Sequence, residues 1–298
     1  AIQAWINKNG ETHEIFCGVK RGAKKQFKHN KKEYERLSEH IGLYPLVMIS
    51  PSDIELIWDG SEVRRKFMDS IISQYDKVYL EKLIAYNHVL QQRNALLKQF
   101  HESRSFENAS LEIWDEQLII HGQEIIRIRT HFLEEFIPLF TKNYQFISGS
   151  NENVSLEYES SIKDLSYQTV LTASLSRDRA VHHTTVGPHR DDLDFKLMGN
   201  SLKKFASQGQ QKSYLLALKL AQFEFIKEKK HTKPLLLLDD IYDKLDDERV
   251  SKLMQLVSED EFGQLIITDT NPERIKIIFR KINVDLRSFE VRNGEIMK

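Results

Sequence analysis

Between Ser61 and Phe100 apolar side chains recur at three- and four-residue spacing: Phe67, Ile71, Ile72, Tyr75, Tyr79, Leu83, Tyr86, Leu90 and Leu97. That is the period of an amphipathic helix. A second helical stretch runs from about Ser110 to Phe146, carried by Leu111, Trp114, Leu118, Ile125, Ile128, Phe132, Phe136 and Leu139. The connection between them, His101 to Asn108, is short and polar. Two long helices joined so closely predict an antiparallel pair standing as its own lobe.

On either side of this pair the pattern shortens. Residues 2–19 alternate as half-buried strands do, with Asn9-Gly10 placed for a tight hairpin turn. Leu46-Val47-Met48-Ile49 reads as a buried strand that runs into Ser50-Pro51-Ser52-Asp53. Proline stops the strand, and Ser52 or Asp53 is placed to cap the helix that follows. After a polar segment at Ser148–Asn153, strand-like pieces fall at 154–158 and 180–198. Then come a serine-led helix over about 207–230, an apolar strand Leu235–Leu238, a helix near 247–258, a strand Leu265-Ile266-Ile267 and closing β segments. The layout predicts an α/β sheet domain interrupted by a helical lobe. A strand missing beside Leu235–Leu238 would leave an exposed apolar edge, with a risk of aggregation.

Composition narrows this little. The 298 residues are 40% hydrophobic and 29% charged, which suits a globular chain with a sizeable core. Forty-three basic residues against 44 acidic ones leave a net charge of -1, so any nucleic-acid face must be a local patch. The single cysteine, Cys17, rules out an internal disulfide and suits a reducing cytoplasm. No apolar run reaches the roughly 18 residues a membrane span needs. The chain opens Ala-Ile-Gln-Ala-Trp, without Met and within a strand pattern, and is expected to be a piece of something longer.

The chemistry concentrates in two segments. Leu235–Leu238 ends in Asp239 and Asp240, and Asp243-Lys244-Leu245-Asp246 follow. Carboxylates at the carboxyl end of a buried parallel strand occupy the place where open α/β sheets put their ligands. One acid there can hold Mg²⁺ and the next can polarise an attacking water. A lone Asp-Asp is more often a helix cap or a surface ion pair. The preceding leucines and the following acids shift the balance toward metal and nucleotide. The second segment, Ala206-Ser207-Gln208-Gly209-Gln210-Gln211-Lys212, opens a long helix whose first amides and serine hydroxyl can receive an anion. Taken alone it reads as an ordinary cap. Its force comes from the pairing with the acidic strand.

The serine-led segment resembles the signature motif of ATP-binding-cassette ATPases, and in the form Ser-Gln-Gly-Gln-Gln-Lys it is similar to the RecF family. The resemblance also rests on Ser50-Pro51-Ser52-Asp53, on Arg64-Arg65-Lys66-Phe67 with Asp69, and on Gln92-Arg93-Asn94 with Leu96-Leu97-Lys98. It continues through Trp114-Asp115 and Gly187-Pro188-His189-Arg190-Asp191-Asp192-Leu193, and covers nearly the whole chain in order. It implies a P-loop NTPase head of the ABC type. Residues 1–50 and 231–298 would belong to ATPase lobe I, and 51–230 to helical lobe II. Asp239 would be the Walker B aspartate near Mg²⁺, and Asp240 the acid beside the attacking water. Ser207, Gln208, Gly209 and Gln210 would meet ATP held by the opposite subunit of a homodimer, with Asp246 in the D-loop at that interface. Ser52 and Asp53 would sense nucleotide between the lobes. The resemblance further implies ATP-driven binding of double-stranded DNA near single-strand/duplex junctions, loading of recombinase, and RecR as partner.

Two departures stand out. The Walker A loop of the family, Gly-x-x-x-x-Gly-Lys-Ser/Thr, occurs nowhere in the chain, and Gly18 to Gly22 has the wrong spacing for it. In the family that loop lies upstream of position 1, so truncation accounts for the absence. The chain alone is then expected to bind ATP poorly and to hydrolyse it negligibly. After Leu265-Ile266-Ile267 the chain reads Thr268-Asp269-Thr270, where transporter-type relatives place a histidine. Candidate DNA contacts are Lys20, Arg21, Lys24 and Lys25 in the densest basic run, with Arg64 and Arg65 at the start of the helical lobe. A solvated hairpin edge explains the lysines equally well, and internal ion pairs are the alternative for the arginines. His189 to Asp192 reads as a structural ion-pair knot. The competing readings are a non-catalytic DNA-binding scaffold, or another chromosome-maintenance ATPase head of the SMC type.

Overall fold

The computed structural model describes residues 1–298 apart from 9, 163–164, 241–246, 259–261, 272–285 and 298. Two compact units divide it, Ala1–Pro45 and Leu46–Lys298. The smaller is an antiparallel sheet of β1 (Ile2–Lys8), β2 (Glu11–Gly18), β3 (Gln26–His29) and β4 (Lys32–Glu33), in that order. Lys8 pairs with Glu11, which leaves two residues for the expected hairpin turn. The second of them, Gly10, sits at φ +84°, a conformation that a two-residue loop of this kind needs and glycine supplies without strain. Asn9 lies outside the described residues.

In the larger unit β5 (Leu46–Ile49) leads through a 3-10 turn at Pro51–Ile54 to α1 (Glu55–Trp58), α2 (Ser61–Tyr75), α3 (Lys77–Ser103) and α4 (Asn108–Ser148). The periodic stretch 61–100 is therefore two helices. Asp76 breaks it: its backbone is extended, and its carboxylate accepts the Tyr79 amide at 2.9 Å as the N-cap of α3. Then follow β6 (Val154–Glu159), α5 (Tyr167–Val181), β7 (Asp192–Leu197), β8 (Asn200–Ser201), α6 (Leu202–Phe205) and α7 (Gln208–Lys230). The strand expected over 180–198 forms only at 192–197. Residues 180–181 still belong to α5, a helix missing from the pattern reading, which Ser166 opens by accepting the Thr169 amide at 3.1 Å. The chain closes with β9 (Leu235–Asp239), α8 (Asp247–Ser258), β10 (Leu265–Thr268), and the hairpin β11 (Glu290–Arg292) and β12 (Glu295–Met297).

Strands β10, β9 and β5 pair in parallel in that order. The acid-ended strand is thus central, with neighbours on both sides, and the exposed edge feared beside Leu235–Leu238 is not at β9. Its buried face, Leu236 and Leu238 with Val47 of β5, joins the main core. Helix α4 packs against both α3 and α7. Their seam is aromatic: Phe132 meets Phe225 edge-on at 5.0 Å and Phe140 meets Tyr214 at 4.7 Å between ring centres. Gly122 of α4 sits under the Tyr167 ring, where an added Cβ would lie 2.3 Å from ring carbon Cε1. No described helix is long and apolar enough to cross a membrane.

Buried polar groups tie the helices to the segment 184–192. The Arg93 guanidinium is fully buried, donating to Asp178 (2.7 Å), Asp115 (2.5 Å) and Thr184 (2.8 Å). Arg129, equally deep, donates to Asp69 at 2.8 Å and to the Pro188 carbonyl at 2.8 Å. His189 accepts the Tyr86 hydroxyl on Nδ1 at 2.7 Å and donates from Nε2 to the Thr184 carbonyl at 3.1 Å. Burial holds this imidazole neutral, with a pKa lowered to about 4. Gly187 permits the arrangement: at φ +124° it lies where a Cβ would be 2.2 Å from the Tyr167 hydroxyl.

Candidate functional site

The carboxyl ends of β5 and β9 and the first turns of α7 open on one cavity of about 390 Å³. Its lining includes Ser50, Asp53, Gln208, Lys212, Asp239 and Asp240. Two segments about thirty residues apart in the chain, together with the loop after β5, therefore meet in space.

Asp239 ends β9, and its Oδ1 accepts the Thr268 hydroxyl of β10 at 2.5 Å. Asp240 turns into the left-handed region (φ +47°), and its amide donates to the Thr268 carbonyl at 3.2 Å. Thr268 thus orients the acid pair from the neighbouring strand. In the Thr268-Asp269-Thr270 segment it is Thr268, at the end of the strand, that touches the acid. Asp239 Oδ2 accepts no hydrogen bond from a described residue. No cluster of three or more His, Cys, Asp or Glu gathers a metal among the described residues. One carboxylate with a free oxygen fits Mg²⁺, which keeps several waters and takes its remaining ligands from phosphate.

The loop after β5 is held from within. Ser50 is the N-cap of the 3-10 turn, rather than Ser52 or Asp53, and Asp53 reciprocates by accepting the Ser50 amide at 2.8 Å. Ser52 Oγ lies 2.8 Å from Ser50 Oγ. Asp53 also reaches across to α7, where Lys219 Nζ stands 2.7 Å from Oδ1. Neither side chain is more than 16% exposed, so this contact works at reduced dielectric. Lys219, and the role of Thr268 toward Asp239, escaped the pattern reading because a lysine on a helix and a threonine at a strand end carry no motif.

Ser207 caps α7 in a reciprocal box: its Oγ accepts the Gln210 amide at 3.2 Å, and Gln210 Oε1 accepts the Ser207 amide at 2.8 Å. Gln210 Nε2 donates on to Glu152 at 2.7 Å. Ser207 and Gln208 remain exposed, and the amides of Gln208 and Gly209 precede the first intrahelical acceptors. The helix start is thus exposed at Ser207 and Gln208, and Gln208 also lines the cavity. Asp246 lies outside the described residues.

Of the candidate DNA contacts, Lys20, Arg21, Lys24 and Lys25 are exposed in the connection between β2 and β3. Arg64 is committed inward: Nε and Nη2 donate to the two oxygens of Asp192, each at 2.8 Å. Arg65 has no such carboxylate, and Nη1 donates to the Asp191 carbonyl at 2.5 Å. Of the ion-pair knot expected at His189–Asp192, only Asp192 forms an ion pair, with Arg64; His189 is a neutral hydrogen-bonding ring, Asp191 accepts the Tyr158 hydroxyl, and the exposed Arg190 guanidinium contacts His183.

No family model matches the chain. It is 50% identical over 290 residues to the DNA replication and repair protein RecF of Flavobacterium johnsoniae, covering 97% of this chain and 81% of that protein. It is likewise 50% identical over 288 residues to the protein of that name from Bacteroides thetaiotaomicron, covering 97% and 77%. Among solved structures, the recombination mediator protein RecF with ATP, of the RecFOR pathway, superposes with a TM-score of 0.86 at 31% identity over 99% of this chain and 78% of that one. An SMC head bound to the winged-helix domain of ScpA shares the fold alone, at a TM-score of 0.52 and 13% identity. With half its residues shared across most of both chains, and an ABC-type ATPase head for its fold, the chain belongs to the RecF family.

Proposed function

We propose that the protein is an ATP-dependent DNA-binding factor of replication and recombinational repair, acting as a homodimer joined by ATP. The observation that carries the reading is the convergence of the acid-ended strand, the Ser50–Asp53 loop and the start of α7 on one cavity, with Ser207 left exposed. In this reading 1–50 and 231–298 belong to the ATPase lobe and 51–230 to the helical lobe. Asp239 holds Mg²⁺ through its free oxygen, and the ion would neutralise charge on the phosphates. Asp240 accepts the proton of the attacking water. Ser207, Gln208, Gly209 and Gln210 bind the terminal phosphate presented by the opposite subunit, and Asp246 lies at that interface. Ser52 and Asp53 report nucleotide through Lys219. Duplex DNA near single-strand gaps is the substrate surface, with Lys20, Arg21, Lys24, Lys25 and Arg65 as its basic contacts and RecR as protein partner. Arg64 serves the fold through Asp192.

The test is light scattering with Mg²⁺-ATP on the 298-residue chain and on a form extended upstream to carry a phosphate-binding loop. ATP-dependent dimerisation of the extended form that Ser207→Arg abolishes supports the reading. Duplex binding by both forms without any response to ATP would replace it with a DNA-binding scaffold.

A further inference from the structure

A second cavity of about 390 Å³ opens between α2, α3 and the segment after Gly187. Arg65, Asn87, His189 and Arg190 are among its lining residues. Two other cations border it, but both are neutralised: Lys66 pairs with Glu62 at 2.7 Å and Arg129 with Asp69 at 2.8 Å. Arg65 and Arg190 are different. Among the described residues neither has a carboxylate within ion-pair distance; one donates to the Asp191 carbonyl and the other contacts His183. Glu157 and Glu159 lie with Arg190 around a separate cavity without pairing to it. Arg65 is half-buried, and burial together with the Arg129 charge pushes its pKa down. Two guanidinium groups therefore face one concave space with donors to spare, the arrangement that suits a bidentate phosphate. Asn87, exposed at the rim, adds an amide donor.

We propose that this cavity is a phosphate subsite that takes one backbone phosphodiester of duplex DNA between Arg65 and Arg190. The assignment rests on the DNA-binding reading above and deepens it: the contact comes from a built pocket on the helical lobe, shared by residues far apart in the chain. A phosphate group is the recognised chemistry, and free phosphate is the competing source.

The experiment measures duplex affinity with Mg²⁺-ATP by fluorescence anisotropy across a salt series, on the upstream-extended form, for the wild type, Arg65→Gln/Arg190→Gln and Asn87→Asp. A control, Arg127→Gln/Lys142→Gln, removes the same charge from two exposed cations paired elsewhere. The double variant is expected to bind about tenfold more weakly, with its salt slope reduced by about 0.9, and the control is not. Asn87→Asp, which alters only an exposed rim, weakens binding in the same direction and covers the case in which the double variant fails to fold. Thermal melting with inorganic phosphate forms the second arm. If the wild type binds duplex and all variants match it within twofold, the subsite is overturned while the DNA-binding reading stands. If the wild type binds no duplex but phosphate raises its melting temperature through Arg65 and Arg190, the ligand is free phosphate and the phosphodiester assignment fails. If neither ligand binds, the subsite and the DNA-binding reading fail together.

Discussion

Replacing Asp178 with alanine tests whether the buried charge network holds the helical part of the larger unit together. Asp178 is fully buried and accepts four hydrogen-bond donors that the structure resolves below 3.5 Å: Arg93 Nη1, Ser174 Oγ, and the Thr185 amide and hydroxyl. Its removal leaves Arg93, with no exposed surface, only Asp115 as a carboxylate partner among the described residues, and takes the acceptor from the Thr185 amide. Breaking a buried pair from one side costs about 3–5 kcal/mol, because the remaining charge keeps its desolvation penalty. At roughly 2 °C per kcal/mol for a chain of this size, the melting temperature falls by about 6–10 °C. Urea unfolding followed by circular dichroism measures the free energy, and thermal scans the midpoint. The double variant Arg93→Met/Asp178→Leu removes both charges and is expected to lose less than Asp178→Ala does. A loss below about 1 kcal/mol for Asp178→Ala, the worth of a surface pair, would refute the reasoning.

Further outcomes follow from other contacts. His189 is neutral in the fold with a pKa lowered to about 4, against 6.5 when unfolded, chiefly by burial, with Arg190 and Arg65 lowering it further and the Thr184 carbonyl and Asp178 raising it. Because the unfolded state binds the proton first, stability is lost as pH falls from about 6.5 to 4, by up to about 3 kcal/mol, and His189→Gln flattens that part of the profile. Gly122→Leu drives a side chain into Tyr167 and is expected to cost more than Gly122→Ala, itself destabilising by about 1–3 kcal/mol in urea titrations. Lys219→Met unties Asp53 from α7 and costs about 1.5–3 kcal/mol. In the ATP-bound dimer reading it also raises the ATP concentration that the upstream-extended form needs for association. Association at unchanged ATP concentration would remove Lys219 from the nucleotide response.

The parts of the fold legible in the sequence were those whose apolar pattern is long or uninterrupted. Four consecutive leucines announced β9, and the periodic run in 110–146 lies within α4, because a core-facing strand or a long helix leaves little choice of side chain. Helix α5 was hidden because its apolar stripe is thin: among its residues only Tyr167 and Leu171 are buried hydrophobics, and polar Ser174 and Asp178 complete the face. The break at Asp76 was hidden for the opposite reason, since Ile72, Tyr75 and Tyr79 keep helical spacing across it. In the site, the acid pair and the serine-led helix could be read as motifs. Thr268 and Lys219 could not, since each acquires meaning only from the residue it touches across the sheet or between elements. The same holds for Arg64 and Arg65, adjacent in the chain yet separated in fate by the position of one carboxylate, Asp192.

The buried ion pairs join partners remote along the chain: 60 residues separate Asp69 from Arg129, 85 separate Arg93 from Asp178, and 128 separate Arg64 from Asp192. The α3–α4 hairpin, by contrast, closes over four residues. Loop-closure entropy therefore orders events during folding: the hairpin can form early, while these charges meet only after larger loops close, the longest of them when Asp192 returns to α2. Interactions made after the rate-limiting step set how slowly a protein comes apart rather than how quickly it assembles. The network is in that sense a latch on the finished structure, and its lasting effect is on the lifetime of the native state.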